Sequence, residues 1–160
     1  MTDALVIGAG PAGLMAAREL ARAGLRVVVA EAKPSVGRKF LMAGKSGLNL
    51  TKAEPFEEFL AAYGPGADAL RPILAAFGPD AVQDWARTLG QEVFTGSTGR
   101  VFPKVMKASP LLRSFLSELK GLGVEIRTRW RWCGWDNGAI FDTPEGTQRL
   151  HPTVTVLACG

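Results

Sequence analysis

Six residues near the amino terminus, Gly8-Ala9-Gly10-Pro11-Ala12-Gly13, have the spacing GxGxxG. That spacing suits a main chain closing on an anion. The first glycine permits a tight turn off a strand, the second lets the backbone approach a pyrophosphate, and the third lets helix and strand pack closely. Free N–H groups and the positive end of the helix dipole then face the phosphates. Glycines also occur in ordinary tight turns, so context decides the matter. Glu31 lies 18 residues beyond Gly13, where a carboxylate at a strand end can accept hydrogen bonds from ribose hydroxyls and repels a 2′-phosphate. The pair points to a dinucleotide with an unphosphorylated ribose and leaves NAD and FAD both open.

The next segment, Glu31-Ala32-Lys33-Pro34-Ser35-Val36-Gly37-Arg38-Lys39, adds a glycine with basic neighbours. Arg38 and Lys39 can neutralise or stack on an adenosine diphosphate, and Gly37 allows close backbone approach. Other chemistry has little material. His151 is the only histidine, and Cys133 and Cys159 stand far apart without metal-ligand spacing, so neither a metal site nor a Cys/His nucleophile pair is expected. Glu57 with Glu58, and Asp80 with Asp84, fall on helix surfaces and read as solvated. No catalytic acid or base stands out, which leaves the chemistry to a cofactor.

The elements that position these residues follow from periodicity. Residues 4–7 form a short apolar run ending at the glycines, as a buried parallel strand does. From Pro11 the pattern is helical, with Leu14, Ala17, Leu20 and Ala21 on one face and Gly24 as the stop. Residues 26–30 read as a second buried strand, which completes a βαβ unit. Residues 34–51 lack a clear period and read as an ordered loop with a short helical turn near Lys39. A helical excursion over about 55–90 contains helices at 56–63, 72–77 and 79–89, Pro72 and Pro79 serving as first-turn residues. A hairpin at 92–102 precedes a helix opened by Ser109 as N-cap and Pro110, and Gly121 and Gly123 end that helix. Residues 124–128 read as a third parallel strand, 129–150 as an antiparallel meander turning at Asn137-Gly138, and 154–158 as a fourth buried strand. The fold expected is α/β, a Rossmann-like FAD/NAD(P)-binding domain. Its parallel strands take the spatial order third, second, first, fourth, with the small β-meander packed on one side.

Length and composition agree with one globular domain: 160 residues, 47% apolar and 21% charged. No apolar run is long enough to span a bilayer, and the start lacks a basic n-region, so cytoplasmic residence is the expectation. The net charge of +4 is spread along the chain. Its most suggestive stretch is Arg127-Thr-Arg-Trp-Arg-Trp-Cys-Gly-Trp135, where arginines and tryptophans alternate. Alternation places Arg127, Arg129 and Arg131 on one strand face and Thr128, Trp130 and Trp132 on the other. An amphipathic strand accounts for the pattern without nucleic acid.

Residues 40–51, Phe-Leu-Met-Ala-Gly-Lys-Ser-Gly-Leu-Asn-Leu-Thr, make a family resemblance specific. The chain resembles the YhiN-like or BaiN-like (aminoacetone-oxidase-like) bacterial flavoproteins, of the two-dinucleotide-binding-domain type. In that family GRK leads into a glycine-rich stretch ending in Asn-x-Thr along the flavin cofactor. The matching residues are Gly37, Arg38, Lys39, Gly44, Gly47, Asn49 and Thr51. Gly99-Arg100-Val101-Phe102-Pro103 with Lys107-Ala108 resembles a second family segment, and Ala158-Cys159-Gly160 the Ala-Thr-Gly strand end that returns to the cofactor. The resemblance implies bound FAD, held by Gly8, Gly10, Pro11, Ala12, Gly13, Glu31, Ala32, residues 37–39, Gly44, Lys45, Gly47, Asn49, Thr51 and residues 158–160, with Lys45 near the flavin ring. It also implies an oxidoreductase whose flavin exchanges hydride with an unidentified organic substrate.

There are departures. Many members carry Gly-Gly-Gly-Arg-Cys-Asn where this chain has Gly44-Lys-Ser-Gly-Leu-Asn49, and Cys159 replaces the usual threonine. Members are also longer, so 1–160 corresponds to their N-terminal dinucleotide-binding part, without the downstream substrate domain and C-terminal flavin-binding segment, which a partner chain could supply. Two alternatives stand beside the oxidoreductase: a non-catalytic dinucleotide- or ADP-binding module, and an NAD-dependent dehydrogenase.

Overall fold

The computed structural model describes residues 2–160. The chain divides into two compact units, one up to Met42 together with Phe115–Gly160, the other Ala43–Ser114.

The first unit is built on parallel strands β1 (Ala4–Ile7), β2 (Val27–Glu31), β6 (Glu125–Thr128) and β10 (Val154–Leu157). Their order is β10-β1-β2-β6, as the βαβ reading requires. Pairing Leu5 with Val28 and Ile7 with Ala30 places these four side chains on one face. There they form a core with Ala139 and Phe141, against which Trp130, Trp132 and Leu150 pack. Those residues come from the meander β7 (Arg131–Trp135), β8 (Ala139–Thr143) and β9 (Gly146–Leu150). Helix α1 (Pro11–Arg22) buries Leu14 and Ala17 and packs along β1, β2 and β10. Arg18 of α1 donates to Glu118 at 2.9 Å, joining it to helix α6 (Ala108–Gly121).

Two expectations are corrected in this unit. The fourth strand is not buried: β10 has a single neighbour, β1, and Val154 and Leu157 are 43% and 58% exposed. An apolar run does not distinguish an edge strand from a central one. The alternating Arg/Trp stretch is not one strand either. Arg129 takes φ 60°, which ends β6 and starts the meander, while Trp130 and Trp132 still turn inward as the alternation indicated.

The second unit holds the antiparallel sheet β3-β5-β4, with β3 at Thr51–Lys52, β4 at Val93–Thr95 and β5 at Arg100–Pro103. Helices α3 (Phe56–Ala61), α4 (Ala67–Ala76) and α5 (Pro79–Thr88), with a 3₁₀ turn at Gly64–Gly66, make up the excursion. Pro79 opens α5 as expected, but Pro72 lies inside α4, which begins five residues earlier at Ala67. Likewise α6 begins at Ala108, so Ser109 and Pro110 are its second and third residues rather than its cap. Proline is tolerated throughout a first turn, where N–H groups lack intrahelical partners, so Pro110 does not fix where α6 starts; Pro72, the sixth residue of α4, lies beyond that turn and forgoes one intrahelical hydrogen bond.

At the start of β1, Asp3 closes the sheet. Its carboxylate accepts from the Arg26 main-chain N–H at 2.9 Å and from the guanidinium at 2.7 and 2.8 Å. These bonds hold the carboxyl well below the usual carboxylate range. An acid depressed on folding stabilises above its unfolded value, about 3.9, and that contribution is lost as pH falls towards the folded value. Asp3→Asn is therefore expected to lower Tm at pH 7, with the gap to the parent narrowing when melts are repeated at pH 4 and pH 3. A gap independent of pH contradicts this account.

Candidate functional site

The GxGxxG turn connects β1 to α1, and two of its glycines are required by backbone contact. Gly8 has φ 109°, and a Cβ there would collide with the Ala158 carbonyl. A Cβ on Gly13 would collide with the Gly8 carbonyl. Gly10 is different. It has φ −80° and ψ 179°, open to any residue, and nothing among the described residues lies within 4 Å of where its Cβ would stand. Gly10 is also the N-cap of α1 and supplies no capping side chain, while Pro11 and Ala12 are exposed. The positive end of a 12-residue helix thus opens onto free space.

Glu31 ends β2, and its carboxylate is anchored at both oxygens. One accepts from the Ala9 N–H at 2.9 Å, the other from the Lys33 N–H at 2.8 Å. Each oxygen keeps a lone pair free for a further donor. The basic segment is docked on the same turn, because the Gly37 N–H donates to the Ala9 carbonyl at 2.9 Å. Helix α2 (Arg38–Ala43) follows, with Arg38 and Lys39 exposed and the Lys39 ammonium reaching the Gly160 main chain. Residues 8–13, 31–32, 37–39 and 158–160 are therefore brought together within one unit. A cavity of 230 Å³ opens among the strand ends, bordered by Ile7 and Gly8, Ala30 to Ala32, Trp130 to Trp132 and Cys159.

Gly44, Lys45, Gly47, Asn49 and Thr51 belong to the second unit. Gly44 fits against Ala108, and Gly47, at φ 131°, against the Met106 side chain. Leu48 donates to Met106 O at 3.1 Å, Leu50 to Val101 O at 2.9 Å, and Thr51 pairs with Val101. The two segments that carried the family resemblance, about fifty residues apart in the chain, thus pack on each other. Lys45 and Asn49 are exposed.

Trp130, Arg131 and Trp132 were not among the expected site residues. Their signal was the Arg/Trp alternation, which explains a strand face without any ligand and so hid the cavity they border. Among the described residues no group of His, Cys, Asp and Glu is arranged to hold a metal ion. No helix of the described residues is long and apolar enough to cross a membrane.

A glycine turn, an open helix start and an anchored strand-end carboxylate define a nucleotide-binding Rossmann domain. The chain belongs to the HI0933-like family, matching the HI0933-like protein Rossmann domain over residues 2–160. It is a FAD-binding Rossmann domain. It is 63% identical to putrescine oxidase of Kocuria rosea over 138 residues, 82% of this chain and 27% of the oxidase. It is 29% identical to thiamine thiazole synthase of Methanococcus maripaludis over 136 residues, 79% of this chain and 51% of the synthase. Among solved structures, 3-ketosteroid-delta4-(5alpha)-dehydrogenase from Rhodococcus jostii shares the fold, with a TM-score of 0.67 and 18% identity over 99% of this chain and 46% of the dehydrogenase. The chain spans about half or less of the length of these three relatives.

The contrast among the glycines is measurable. Gly13→Val is expected to lower Tm by about 5–10 °C, the scale of a forced core clash in a domain of this size. Gly10→Val should melt within about 2 °C of the parent, since its side chain enters open space. Equal losses at both positions would show that Gly10 is held by packing.

Proposed function

We propose that this chain is the cofactor-binding part of a flavin oxidoreductase that exchanges hydride with an organic substrate. The observation that carries the reading is Gly10: neither its backbone conformation nor its surroundings require a glycine, whereas a diphosphate lying on the main chain does. In this reading the main chain of Gly8, Gly10, Ala12 and Gly13, with Pro11 opening the helix, holds the diphosphate. Glu31 accepts from the ribose hydroxyls, and Ala32 borders the sugar. Gly37, Arg38 and Lys39 offset the phosphate charge, and Ala158, Cys159 and Gly160 close the other side. Gly44, Lys45, Gly47, Asn49 and Thr51 follow the flavin half, as the family resemblance implies. The flavin supplies the redox chemistry, and the chain supplies position and electrostatics.

Assignment to the YhiN-like or BaiN-like branch is supported by the residue pattern of 37–51 and by the packing of residues 44–51 on residues 101–108 within the second unit. The free thiols of Cys133 and Cys159 suit a reducing, cytoplasmic setting. The substrate domain, and any partner chain that contributes it, are part of the same proposal.

Titration of the purified chain with FAD and with NADH tests the reading. FAD is expected to bind more tightly than NADH and to give a yellow protein, and Gly10→Val should weaken FAD at least ten-fold at unchanged Tm. Tighter binding of NADH, or full FAD affinity in Gly10→Val, contradicts it.

A further inference from the structure

The turn between β5 and α6 carries a backbone feature that nucleotide binding does not explain. Met106 holds φ 58°, a left-handed conformation in which an L side chain crowds its own main chain. Contacts on three sides keep it there. Its N–H donates to the Pro103 carbonyl at 2.8 Å, and its carbonyl accepts from the Leu48 N–H at 3.1 Å. Its side chain meets Gly47: the terminal methyl lies 2.6 Å from the point a Cβ there would occupy, and the Phe102 ring 3.8 Å from the same point. Phe102 in turn packs on Phe94, with ring centroids 5.8 Å apart. Leu48 is buried, so its N–H depends on the Met106 carbonyl rather than on water. Met106 thus ties the loop of residues 44–51 to the β5–α6 turn through both its main chain and its thioether, all within the second unit. The residue is nevertheless 37% exposed, enough for a small solute to reach it.

We propose that Met106 is a modification site: hydrogen peroxide converts its thioether to the sulfoxide, which releases the loop of residues 44–51 and weakens its hold on the cofactor. The sulfur lone pair attacks one peroxide oxygen. An S–O bond forms as the O–O bond breaks, and the sulfur is oxidised by two electrons. The proton on the transferred oxygen passes to the departing hydroxide, which leaves as water. The product is polar and one oxygen larger. The close approach at Gly47 leaves it no room, and the Phe102 ring offers it no hydrogen-bond donor. The side chain must therefore turn out to solvent, and the left-handed backbone loses the packing that held it. With the Met106 carbonyl displaced, the Leu48 N–H loses its partner. The inference rests on the FAD reading above for its consequence. A reduced flavin that passes two electrons to dioxygen is itself a source of peroxide, so the same chemistry that uses the loop generates the oxidant that loosens it.

Hydrogen peroxide treatment of the whole chain, followed by peptide mass mapping, amide hydrogen exchange and FAD titration, tests this. Met106 is expected to gain one oxygen atom. The Leu48 N–H should then exchange about ten-fold faster and FAD should bind about ten-fold more weakly, with methionine sulfoxide reductase reversing both. Met106→Leu keeps the apolar bulk without the sulfur, so after treatment it should match the untreated parent in both readouts. Met106→Gln, which puts a polar oxygen at the same place, should speed Leu48 exchange without peroxide. Met42 is more exposed, at 62%, and should oxidise too, yet Met42→Leu should leave the whole response in place. If oxidised Met106 leaves Leu48 exchange or FAD affinity unchanged, or if treated Met106→Leu responds as the parent does, the proposal is wrong and the FAD reading survives. If the untreated chain binds no FAD, both fall.

Discussion

Two tight contacts in the first unit are between backbones. Gly8 lies against the Ala158 carbonyl and Gly13 against the Gly8 carbonyl, with no space for a Cβ at either contact. The rest of the site is arranged around this meeting of two strands and a helix. The Gly8 N–H still reaches the Ala30 carbonyl, and the Ala158 N–H reaches the Ile7 carbonyl, both at 2.8 Å. The ladder therefore runs unbroken to the point where the chain must turn. With helix α1 pressed this close to the strands, its start lies at their carboxyl ends. The unpartnered N–H groups of a first helical turn then have only solvent or an anion to meet.

Glu31 joins two functions in one side chain. Bonds to the Ala9 and Lys33 N–H groups tie the glycine turn to the end of β2, and hydrogen bonds to a charged group are among the stronger ones in a folded chain, about 1.5–3 kcal/mol each. The same bonds hold the carboxylate in one orientation beside the cavity. The carboxylate proposed to accept from ribose is thus fixed by the fold before any ligand arrives. At the opposite end of the same strand pair, Asp3 and Arg26 lock the register. Both ends of the β1–β2 pair are closed by a carboxylate.

Much of this was legible in the sequence because it rests on local rules. Glycine spacing, the consecutive valines of β2 and the Asn137-Gly138 turn each demand one backbone geometry, and the parallel order follows from the βαβ unit. What was not legible depends on neighbours. Whether β10 is central or at an edge is decided by which strands flank it, not by Val154 or Leu157. Helix α4 packs on α3 and extends five residues ahead of Pro72, whose ring removes one intrahelical bond without ending the helix. The tryptophan wall was hidden for the same reason. Trp130 and Trp132 alternate as buried strand residues do, and only the turn at Arg129, a non-glycine residue at positive φ, brings them over the end of β2.

The central claim is that main-chain amides at the start of α1 hold the cofactor diphosphate. Amide correlation spectra recorded while the chain is titrated with FAD address it directly. The account predicts the largest shifts at the amides of Gly10, Ala12 and Gly13, with smaller ones at Ala9 and Lys33 as Glu31 takes up the ribose. Saturating FAD that leaves these amides unmoved while others shift would contradict it.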